Sequence, residues 1–450
     1  MFSRILIANR GEIALRIIKT CREIGIETVL VYSDADRDSL PVRLADMSIC
    51  IGPGISNESY LDIKRIITAA EISDVEAIHP GYGFLSENIH FADICRSCEI
   101  EFIGPSAEVM KNFGDKSCAR AIAQKAGVPV IPGSEGLIGS VEDAIKVAKK
   151  IGYPVMLKAA GGGGGRGMRQ AHNEVSLANA FYAARAEAES AFGNSDIYIE
   201  KLIENPKHIE IQILADNYDN VVHLGERDCT VQRRHQKLIE ESPSPAIDEK
   251  KRREISEAAV ALAREVGYTN AGTFEFLLDK NNDFYFMEVN TRLQVEHPVT
   301  EMITGIDIVG KQLAVSSREP LGVKQEEIQF SGCAIECRIN AEDTLNDFRP
   351  CPGTVELYSA PSDKEIRTDS HLYTGYTIPA YYDSLLSKLI VWGKNRGEAI
   401  SRAIKSLKNY EIQGVHTTIP FTINILEHMD FQRGKIDTSF VEKRLLNEEK

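Results

Sequence analysis

The first residues of the chain place the strongest constraint on its fold, because they alternate between strand-like and helix-like patterns. Residues 5–8 are a short apolar run, and in RGEIALRIIKTCREIG apolar residues recur at helical spacing before Gly25, a typical residue at helix C-termini. The second apolar run, TVLVYS, has Asp34 at its end. Strand, helix and strand in this order form a unit whose strands lie parallel in one sheet. We therefore expect an N-terminal α/β domain that extends to about Pro105.

An acidic residue after the second strand is also typical of dinucleotide-binding domains, which share this layout. Those domains need a G-x-G-x-x-G turn after the first strand. The turn in this chain reads ANRGEIA and holds a single glycine. The sequence therefore favours a Rossmann-like topology without a dinucleotide site.

The length and charge of the chain limit its class. A chain of 450 residues is too long for one ordinary core, so we expect two or three domains. The formal net charge of −14 argues against nucleic acid as a main partner, and a bound small anion needs local cations or a metal ion. No stretch approaches the roughly 18 apolar residues that a transmembrane helix requires, so we expect no membrane association.

The nine cysteines are scattered and odd in number, which is not the pattern of a disulfide framework. Cys95 and Cys98 form one C-x-x-C pair with no second pair at zinc-site spacing, and we interpret them as ordinary thiols rather than as a redox or zinc site. The N-terminal MFSRILIANRGEIALRII lacks the layout of a secretory signal. Both features predict a cytoplasmic protein.

The segment KAAGGGGGRGMR has two interpretations. A glycine run is often a flexible linker, because glycine has the largest conformational freedom. Bare backbone amides flanked by Lys158, Arg166 and Arg169 can instead close over a polyanion. The strand-like YPVMLKA before the loop, and DIYIEKLI after a long polar helix, suggest a small α/β unit that moves as a lid. The loop alone does not decide between a linker and an anion site.

Two strand-like segments place acidic residues opposite each other. TFEFLLD and FYFMEVN are rich in aromatic and β-branched residues, and KNND between them is a turn. With those four residues as the loop, Asp279 pairs with Phe284 and Glu275 pairs with Glu288. Facing carboxylates destabilise a sheet unless a cation lies between them. Asn290 points to the same face, so we predict an oxygen-ligated magnesium or manganese site, with two solvated glutamates as the alternative.

Beyond Asn290 the same alternation continues through Arg292, Gln294 and Glu296. If the chain stays extended, a guanidinium, an amide and a carboxylate line up beside the metal. Such a row offers a planar fork for a small oxyanion, with a general base next to it. Each residue alone is more often a solvated surface residue, but the row beside paired carboxylates indicates a catalytic site.

Four further segments are weaker indications of a binding site, and each of them also has an ordinary structural interpretation. QRRHQK is a basic run in an acidic chain and belongs either to a site or to a solvated loop. PKHIEIQIL places His208 on one face of a strand with Glu210 and Gln212, where a structural role is more common than a nucleotide contact. Residues 200–203 suit a purine edge but also a plain strand terminus. Arg338 lies in the strand-like AIECRINAED, where the ordinary interpretation is a surface ion pair.

The remaining segments complete the predicted architecture. HIEIQILAD and VVHLGERDC both alternate, which predicts half-buried antiparallel strands. EKKRREISEAAVALAREVG predicts a helix that ends at Gly267. From about residue 330 the chain mixes strands with one amphipathic helix around residues 398–407. The expected fold class is α/β, with an α+β C-terminal part.

Taken together, the motifs resemble those of ATP-grasp enzymes, and the similarity is greatest to the biotin carboxylase family. The matching segments are ILIANRGEIALRI, HPGYGFLSEN, FIGP, GDK, KAAGGGGGRGMR, GERDCTVQRRHQK, GTFEFL, MEVNTRLQVEHPVTE, ECRINAED and YYDSLLSKLI. They run from about residue 5 to residue 390, which is nearly the whole chain. The glycine loop alone would be weak evidence, whereas MEVNTRLQVEHPVTE together with ECRINAED is highly specific.

The resemblance implies an ATP-grasp fold of three domains. Residues 1–113 would form the Rossmann-like pre-ATP-grasp domain, and residues 114–319 the ATP-grasp domain with a mobile glycine-loop lid at about 131–203. Residues 320–450 would form the C-terminal biotin carboxylase domain, which completes the nucleotide cleft.

The resemblance also implies a role for each residue at a matching position. ATP would be bound by Lys116, Lys158, Gly164, Gly165, Glu200, Lys201, Leu202, Ile203, His208 and His235, with the two glycines over the phosphates, and would adjoin Glu275 and Glu288. The metal, Mg²⁺ or Mn²⁺, would be held by Glu275, Glu288 and Asn290. Bicarbonate would be bound by Lys237, Arg292, Gln294, the backbone of Val295 and Glu296, and biotin by Arg338 and Tyr82. The catalytic residues would be Glu296, Arg292, Arg338 and Lys237.

The implied reaction is the ATP-dependent carboxylation of biotin with bicarbonate, through carboxyphosphate. A Met-Lys-Met biotinylation motif is absent, which fits a stand-alone subunit that acts on a separate biotin carboxyl carrier protein. The resemblance implies that this subunit is a homodimer. The resemblance implies acetyl-CoA carboxylase, with a separate carboxyltransferase, in fatty acid synthesis. A subunit of a pyruvate or propionyl-CoA carboxylase, another ATP-grasp ligase and a catalytically inactive regulatory module remain as alternatives.

Overall fold

The computed structural model describes residues 1–159 and 167–446, except for the side chain of Phe192. Its N-terminal unit consists of strands β1 (Arg4–Ile7), β2 (Glu27–Tyr32), β3 (Met47–Cys50), β4 (Ala77–His79) and β5 (Glu101–Phe102), and helices α1 (Gly11–Ile24), α2 (Leu40–Leu44), α3 (Ile63–Ile72), α4 (Ile89–Ser97) and α5 (Ala107–Gly114). The sheet order is β3-β2-β1-β4-β5, and all four pairings are parallel. The predicted parallel α/β unit is therefore confirmed.

Helix α1 shows why this unit forms. Ile13 and Ile17 lie on the face that packs into the buried core beneath the sheet. The helix ends at Gly25, whose φ of 79° is the left-handed conformation that glycine adopts readily. The turn before α1 and the loop after β4 meet at one edge of the sheet, where the Asn9 amide donates 2.7 Å hydrogen bonds to the carbonyls of Pro80 and Tyr82. This edge faces the cavity described below.

A small α/β unit follows helix α6 (Lys116–Lys125). Its elements are α7 (Val141–Ile151), β6 (Val155–Ala159), β7 (Met168–Ala171), α8 (Glu174–Phe192) and β8 (Ile197–Lys201). The strands form an antiparallel sheet of order β7-β6-β8, which has its own buried core with α7 and α8. Strands β6 and β8 match the two predicted strand-like segments, whereas β7, which follows the glycine loop directly, was not predicted. The movement of this unit as a lid stays a prediction.

The rest of the chain is built around one large sheet. Its strands are β9 (Lys207–Ala215), β10 (Val221–Arg233), β11 (Gln236–Ser242), β12 (Asn270–Leu278), β13 (Phe284–Asn290), β14 (Cys333–Asn340), β18 (Ile366–Ser370) and β19 (Leu385–Gly393). The short strands β15 (Glu342–Asp343), β16 (Arg349–Pro350), β17 (Leu357–Ser359) and β20 (Glu411–Gln413) form two separate ribbons. The helices are α9 (Glu249–Glu265), α10 (His297–Thr304), α11 (Ile308–Ser316), α12 (Arg396–Lys408), α13 (Ile419–Glu427) and α14 (Met429–Gln432).

The eight strands have the order β13-β12-β9-β10-β11-β14-β19-β18, and all pairings are antiparallel. The β11–β14 pairing joins the segment before residue 320 to the segment after it in one continuous ladder. Strands β9 and β10 are antiparallel as predicted, but the expectation that they are half-buried was wrong. Helix α9 covers the face that carries Ile211, and α10 contacts the face that carries Arg227, so even Glu210 and Arg227 are 0 % exposed.

The register of the β12–β13 hairpin differs from the predicted one at the turn and agrees at the site. Leu278, and not Asp279, pairs with Phe284, because the connecting loop is one residue longer at its start than expected. A bulge between Glu275 and Phe276, with Met287 as the extra residue of β13, then shifts the ladder by one residue. The two deviations cancel, and Glu275 faces Glu288 as predicted.

The C-terminal part contains more helix than expected. The predicted amphipathic helix is α12, but α13 and α14 were missed, and their residues Ile425 and Phe431 pack in the same core. Both helices are short, with nine and four residues, so their apolar periodicity covers too few turns to be distinctive in the sequence. Within residues 1–159 and 167–446, no helix combines the length and apolar character needed to cross a bilayer.

Candidate active site

A cavity of about 1330 Å³ lies between the N-terminal unit, the small α/β unit and the eight-stranded sheet. The predicted site residues that line it are Tyr82, Lys116, Lys158, Glu200, Lys201, Leu202, Ile203, His208, His235, Lys237, Glu275, Glu288, Asn290, Arg292, Gln294, Val295 and Arg338. Glu296 is fully buried behind this lining. Gly164 and Gly165 lie outside the described residues. The fold thus brings segments from all parts of the chain to one site that is large enough for several small ligands.

The facing carboxylates of Glu275 and Glu288 occupy one wall of the cavity. Burial raises the pKa of Glu275, but Lys237 and His208 outweigh it and lower the pKa to about 2. Burial and the charge of Glu275 raise the pKa of Glu288, while Lys116 partly offsets them. A divalent cation between the two carboxylates would remove this repulsion, and carboxylate oxygens are donors that suit Mg²⁺ or Mn²⁺. The residues present therefore fit the predicted metal.

The imidazole of His208 binds the same carboxylate from the neighbouring strand. Its Nε2 lies 2.8 Å from Oε2 of Glu275, and the side chain is buried. Burial lowers the pKa of His208, but Glu275 outweighs it and the pKa is raised. His208 is therefore fixed beside the paired carboxylates.

Lys237 is the cation at the centre of the site. Its Nζ lies 2.7 Å from Oε2 of Glu210 and 3.4 Å from Oε1 of Glu275, and it also contacts Oε1 of Glu296. Burial raises the pKa of Glu296, but Lys237 and Arg338 outweigh it and hold the pKa well below its usual range. Glu296 is therefore ionised, and it is neutralised by two cations.

Arg338 lies at the mouth of this cluster. Its Nε donates a 2.6 Å hydrogen bond to Oε1 of Glu240, and its Nη2 donates a 2.9 Å bond to Oε2 of Glu296. Both carboxylates are 0 % exposed, so the interpretation of Arg338 as part of a surface ion pair was wrong. Tyr82 lines the same part of the cavity, and its hydroxyl donates to Glu12.

The predicted extended row from Arg292 to Glu296 was wrong, because strand β13 ends at Asn290 and the chain turns into α10. The side chains nevertheless converge through hydrogen bonds. Arg292 donates to Oε1 of Gln294 at 3.2 Å and to Oδ1 of Asn290 at 3.0 Å, and it forms a 2.8 Å ion pair with Glu87. Amide groups of Gln294 and Asn290 donate to Glu275 Oε1 at 3.2 and 2.7 Å. In this arrangement Asn290 bridges the carboxylates and the guanidinium.

The opposite end of the cavity is the junction with the small α/β unit. Lys158 Nζ lies 2.5 Å from Oε2 of Glu200, and Arg120 lies 3.3 Å from its other oxygen. The backbone amides of Lys201 and Leu202 donate to the carbonyls of Pro132 and Pro154, at 2.7 and 3.0 Å respectively. This segment is therefore anchored by its backbone and by Lys201, whose Nζ donates to the carbonyls of Gly152 and Tyr153, and its residues line the cavity.

The basic run QRRHQK forms a tight hairpin turn. Its tip, residues 234–236, is exposed as in the solvated-loop alternative, whereas Gln232 and Arg233 are buried. Arg234 and His235 are the two loop residues between β10 and β11, with φ angles of 47° and 66°. Positive φ at both positions is the turn that suits a two-residue hairpin, and it is costly for residues other than glycine, asparagine or aspartate. Glu442 accepts a 2.7 Å hydrogen bond from the Arg234 amide and holds this turn against the cavity.

Three family models cover almost the whole chain. "Biotin carboxylase, N-terminal domain" matches residues 1–110, "Carbamoyl-phosphate synthase L chain, ATP binding domain" matches residues 115–324, and "Biotin carboxylase C-terminal domain" matches residues 336–443. Biotin carboxylase 1 of Bacillus subtilis is 53 % identical over 443 residues, which is 98 % of each chain. A biotin carboxylase of Nostoc sp. is 55 % identical over 442 residues, 98 % of this chain and 99 % of the relative.

The chain belongs to the biotin carboxylase family. The resemblance predicted from the sequence is thereby confirmed, together with the prediction of an enzyme. Its fold is the ATP-grasp fold of biotin carboxylases. The structure of a Campylobacter jejuni biotin carboxylase, in complex with a β,γ-ATP compound, superimposes with a TM-score of 0.96. The two sequences are 52 % identical, and the match covers 99 % of each chain.

A second biotin carboxylase structure was solved with ligands. The biotin carboxylase domain dimer of Hydrogenobacter thermophilus 2-oxoglutarate carboxylase, in complex with MgADP, ADP and bicarbonate, has a TM-score of 0.93 and 49 % identity, over 98 % of each chain. The biotin carboxylase subunit of a pyruvate carboxylase matches with a TM-score of 0.86 and 48 % identity, over 98 % of each chain. The biotin carboxylase architecture is therefore shared by carboxylases with different final acceptors.

Sequence reasoning missed several charged residues of this biotin carboxylase site. Arg227 is fully buried, contacts Glu210, and donates to Gln212, Thr273 and Thr300 at 2.8, 3.0 and 3.0 Å. Its signal was present in the GERDC segment, where a charged residue falls on the same strand face as the predicted site. Arg227 therefore binds Glu210, one of the buried carboxylates that Lys237 neutralises.

The C-terminal segment KIDTSFVEK was left out of the predicted site, but it lines the cavity. The Thr438 amide donates a 2.9 Å hydrogen bond to the Pro206 carbonyl, and Lys443 donates a 2.8 Å bond to Asn205. Both acceptors follow the junction with the small α/β unit. No local pattern in the segment predicts this long-range docking.

Proposed function

We propose that this chain carboxylates biotin with bicarbonate and ATP, yielding carboxybiotin, ADP and phosphate, as the first half-reaction of acetyl-CoA carboxylase in fatty acid synthesis. One observation carries the proposal: Lys237, Glu296 and Arg338 form a buried cation–carboxylate–cation row beside the paired carboxylates Glu275 and Glu288. A row of this kind can hold two small polar reactants next to a metal-bound triphosphate.

ATP would lie between the small α/β unit and the eight-stranded sheet. The purine would adjoin residues 200–203 and His208, and the phosphates would extend past Lys116, Lys158 and His235 under the glycine loop. A metal ion held by Glu275, Glu288 and Asn290 would spread the phosphoryl charge. The fit rests on the carboxylate pair, which is destabilised by its own charge without a cation.

Bicarbonate would bind in the centre, against the Arg292 guanidinium, the Gln294 amide, the Val295 backbone and Lys237. Glu296 would take the bicarbonate proton as an oxygen of bicarbonate attacks the γ-phosphorus, and the bond to ADP breaks. The products of this step are carboxyphosphate and ADP. A positioned general base typically contributes about 10²–10⁴-fold to rate.

Biotin would bind at the mouth of the cluster, with its ureido oxygen on Arg338 and its ring against Tyr82. Carboxyphosphate would release CO₂ and phosphate, and the phosphate would take the proton from the ureido nitrogen. The negative charge then develops on the ureido oxygen, where one oriented donor is worth roughly 3 kcal/mol. The nitrogen attacks CO₂ to form carboxybiotin.

The partners follow from this reaction. We propose a homodimer that acts on biotin attached to a separate carrier protein, with a separate carboxyltransferase, in the cytoplasm. The nine cysteines are all free thiols, which suits a reducing compartment. We also propose the division into residues 1–113, 114–319 with a lid at about 131–203, and 320–450. The break between the family matches at 110–115 supports the first boundary, and the second break, at 324–336, begins after the second boundary.

The deciding experiment is ATP cleavage measured with and without bicarbonate, and with and without free biotin. We expect bicarbonate-dependent cleavage that free biotin stimulates, with carboxybiotin as product. Turnover that ignores biotin would refute the proposal and leave only another ATP-grasp activity. Isolation of the biotinylated carrier that co-purifies with the chain would separate acetyl-CoA carboxylase from the pyruvate and propionyl-CoA enzymes.

A further inference from the structure

The motif YYDSLLSKLI contributes a residue that has no role in the reaction as described so far. Lys388 lies on strand β19, directly opposite Arg338 on β14. Its side chain is 0 % exposed, which is rare for a lysine and requires partners for its charge. Its position next to the biotin-binding arginine raises the question of what it holds.

The ammonium of Lys388 joins three parts of the chain. Its Nζ donates a 3.0 Å hydrogen bond to the carbonyl of Val295, in the loop between β13 and α10. It also lies 3.1 Å from Oε2 of Glu12, at the start of α1 in the N-terminal unit. The other oxygen of Glu12 accepts the hydroxyl of Tyr82. One cation therefore links a strand of the C-terminal part to Tyr82, through Glu12, and to the loop that carries Val295.

Two other carboxylates interact with the charge of Lys388 without a hydrogen bond to it, namely Glu336 and Asp369. Asp369 lies 3.9 Å from Lys388 Nζ, beyond hydrogen-bonding distance, and it binds Arg367 through both oxygens at 2.9 and 2.6 Å. Glu12 and the Val295 carbonyl are thus the partners within hydrogen-bonding distance of Lys388 among the described residues.

We propose that Lys388 is a positioning residue for biotin, which fixes Tyr82 through Glu12 and fixes the backbone of Val295 directly. The inference rests on the proposed function, because it concerns the biotin pocket of that reaction. Lys388 lies behind the pocket and touches neither substrate. Its effect is on the geometry of the ring-binding wall relative to Arg338 and bicarbonate, where a displacement of about 1 Å costs on the order of 10²-fold in rate.

The test is the Lys388→Met variant, which keeps the length of the side chain and removes its charge. We expect kcat/KM for biotin to fall by about 10²-fold. The KM for ATP should change less than about twofold, since none of the contacts of Lys388 among the described residues lies at the ATP end. The KM for bicarbonate should rise, because Lys388 holds the Val295 backbone that binds bicarbonate in the proposed reaction. Unchanged kcat/KM for biotin, or a KM for ATP that rises as much as kcat/KM for biotin falls, would overturn the inference.

A double variant separates positioning from stability. Lys388→Met alone leaves Glu12 buried without its cation, which destabilises the fold, whereas Lys388→Met with Glu12→Gln removes both charges. We expect the double variant to regain thermal stability but not biotin turnover. If biotin turnover returned with stability, Lys388 would have only a structural role.

Arg396→Met is the matched control, because Arg396 forms a 2.5 Å ion pair with buried Glu241, and neither residue lines the cavity. The Arg396→Met variant should be less stable than wild type and keep its kcat/KM for biotin. A loss in kcat/KM for biotin as large as that of Lys388→Met would overturn the inference. Wild-type enzyme that shows no biotin-stimulated turnover would refute the proposed function instead, and the inference with it. Wild-type stimulation with an equally active Lys388→Met variant would refute the inference alone.

Discussion

Arg338 Nη2 donates a 2.9 Å hydrogen bond to Glu296 Oε2, so the proposed biotin ligand and the proposed general base bind each other. Each group satisfies the other in a site from which water is largely excluded. A carboxylate held by two cations is a weak base, because both cations lower its pKa. In the proposed reaction, biotin that engages Arg338 would remove part of this stabilisation from Glu296 and make it more basic. The pair would thus connect biotin binding to the activation of bicarbonate.

Arg338→Gln should abolish the response to biotin while the fold persists. We expect biotin-stimulated ATP cleavage to fall by about 10²-fold or more, since an oriented donor to the developing charge is removed. Slow biotin-independent cleavage should remain, because Lys237 still holds Glu296. Parallel assays with and without biotin measure both. Arg338→Lys should recover little of the biotin response, because lysine cannot reproduce the contacts of the guanidinium with both Glu240 and Glu296. A normal biotin response in either variant would contradict the role of Arg338 in biotin binding.

Lys237→Met should be the most damaging substitution in the site. It leaves the buried carboxylates Glu210, Glu275 and Glu296 without their shared cation, which costs about 3–5 kcal/mol of unfolding free energy at pH 7. The loss should shrink as the pH is lowered, because protonation then removes the repulsion. Denaturant unfolding at pH 5 and pH 8 measures this. Equal losses at both pH values would contradict the described charge cluster.

Glu288→Gln should weaken binding of the metal without unfolding the protein. One of the two facing carboxylates becomes neutral, so we expect Mn²⁺ affinity to fall by about tenfold or more, as seen when groups of a metal site are removed. Titration of Mn²⁺ by electron paramagnetic resonance, with a non-hydrolysable ATP analogue, measures it. Asp283→Asn, in the exposed turn of the same hairpin, is the control and should bind Mn²⁺ normally. Unchanged affinity in Glu288→Gln would refute the site.

Glu336→Gln should stabilise the protein at alkaline pH. Glu336 faces Glu240 across the β11–β14 ladder, and both are 0 % exposed. Burial raises the pKa of Glu336 well above its usual value, Glu240 adds to this and Lys388 opposes it. A raised pKa in the folded state gives stability that is complete below the unfolded value of 4.5 and is lost as the pH rises through the folded value.

Glutamine never ionises, so this loss should disappear in the variant. We expect Glu336→Gln to melt about 2 °C higher than wild type at pH 8, with little difference at pH 4.5. Differential scanning calorimetry at the two pH values provides the measurement. Glu135→Gln, at an exposed position, is the control and should show no such trend. A variant less stable than wild type at pH 8 would show that Glu336 is ionised and paired.

The parallel N-terminal unit and the facing pair Glu275 and Glu288 were predictable because both follow from local periodicity. The facing pair was predicted correctly although the longer turn and the bulge between Glu275 and Phe276 were both missed. The two deviations shift the register in opposite directions and cancel. Bulges depend on contacts beyond the two strands, which alternation cannot show. A second irregularity, near Leu238 in β11, brings Lys237 and Glu240 to the same face, although simple alternation separates them.

The sequence correctly predicted that the side chains from Arg292 to Glu296 meet in the central cluster, but the predicted backbone conformation was wrong. An extended chain from Arg292 to Glu296 was expected, whereas the chain turns into a helix and hydrogen bonds gather the side chains. Arg227 and Lys388 were not predicted, because a buried charge is indistinguishable in sequence from a solvated one until its partners are known.

The continuous ladder between β11 and β14 has a consequence for anyone who builds hybrid carboxylases. A cut near residue 320 would strip a central strand of its neighbour and expose an unpaired row of amides and carbonyls, which invites intermolecular pairing. Chimeras should therefore exchange the small unit around β6, β7 and β8, which has its own core. All eight strands of the large sheet should come from a single parent.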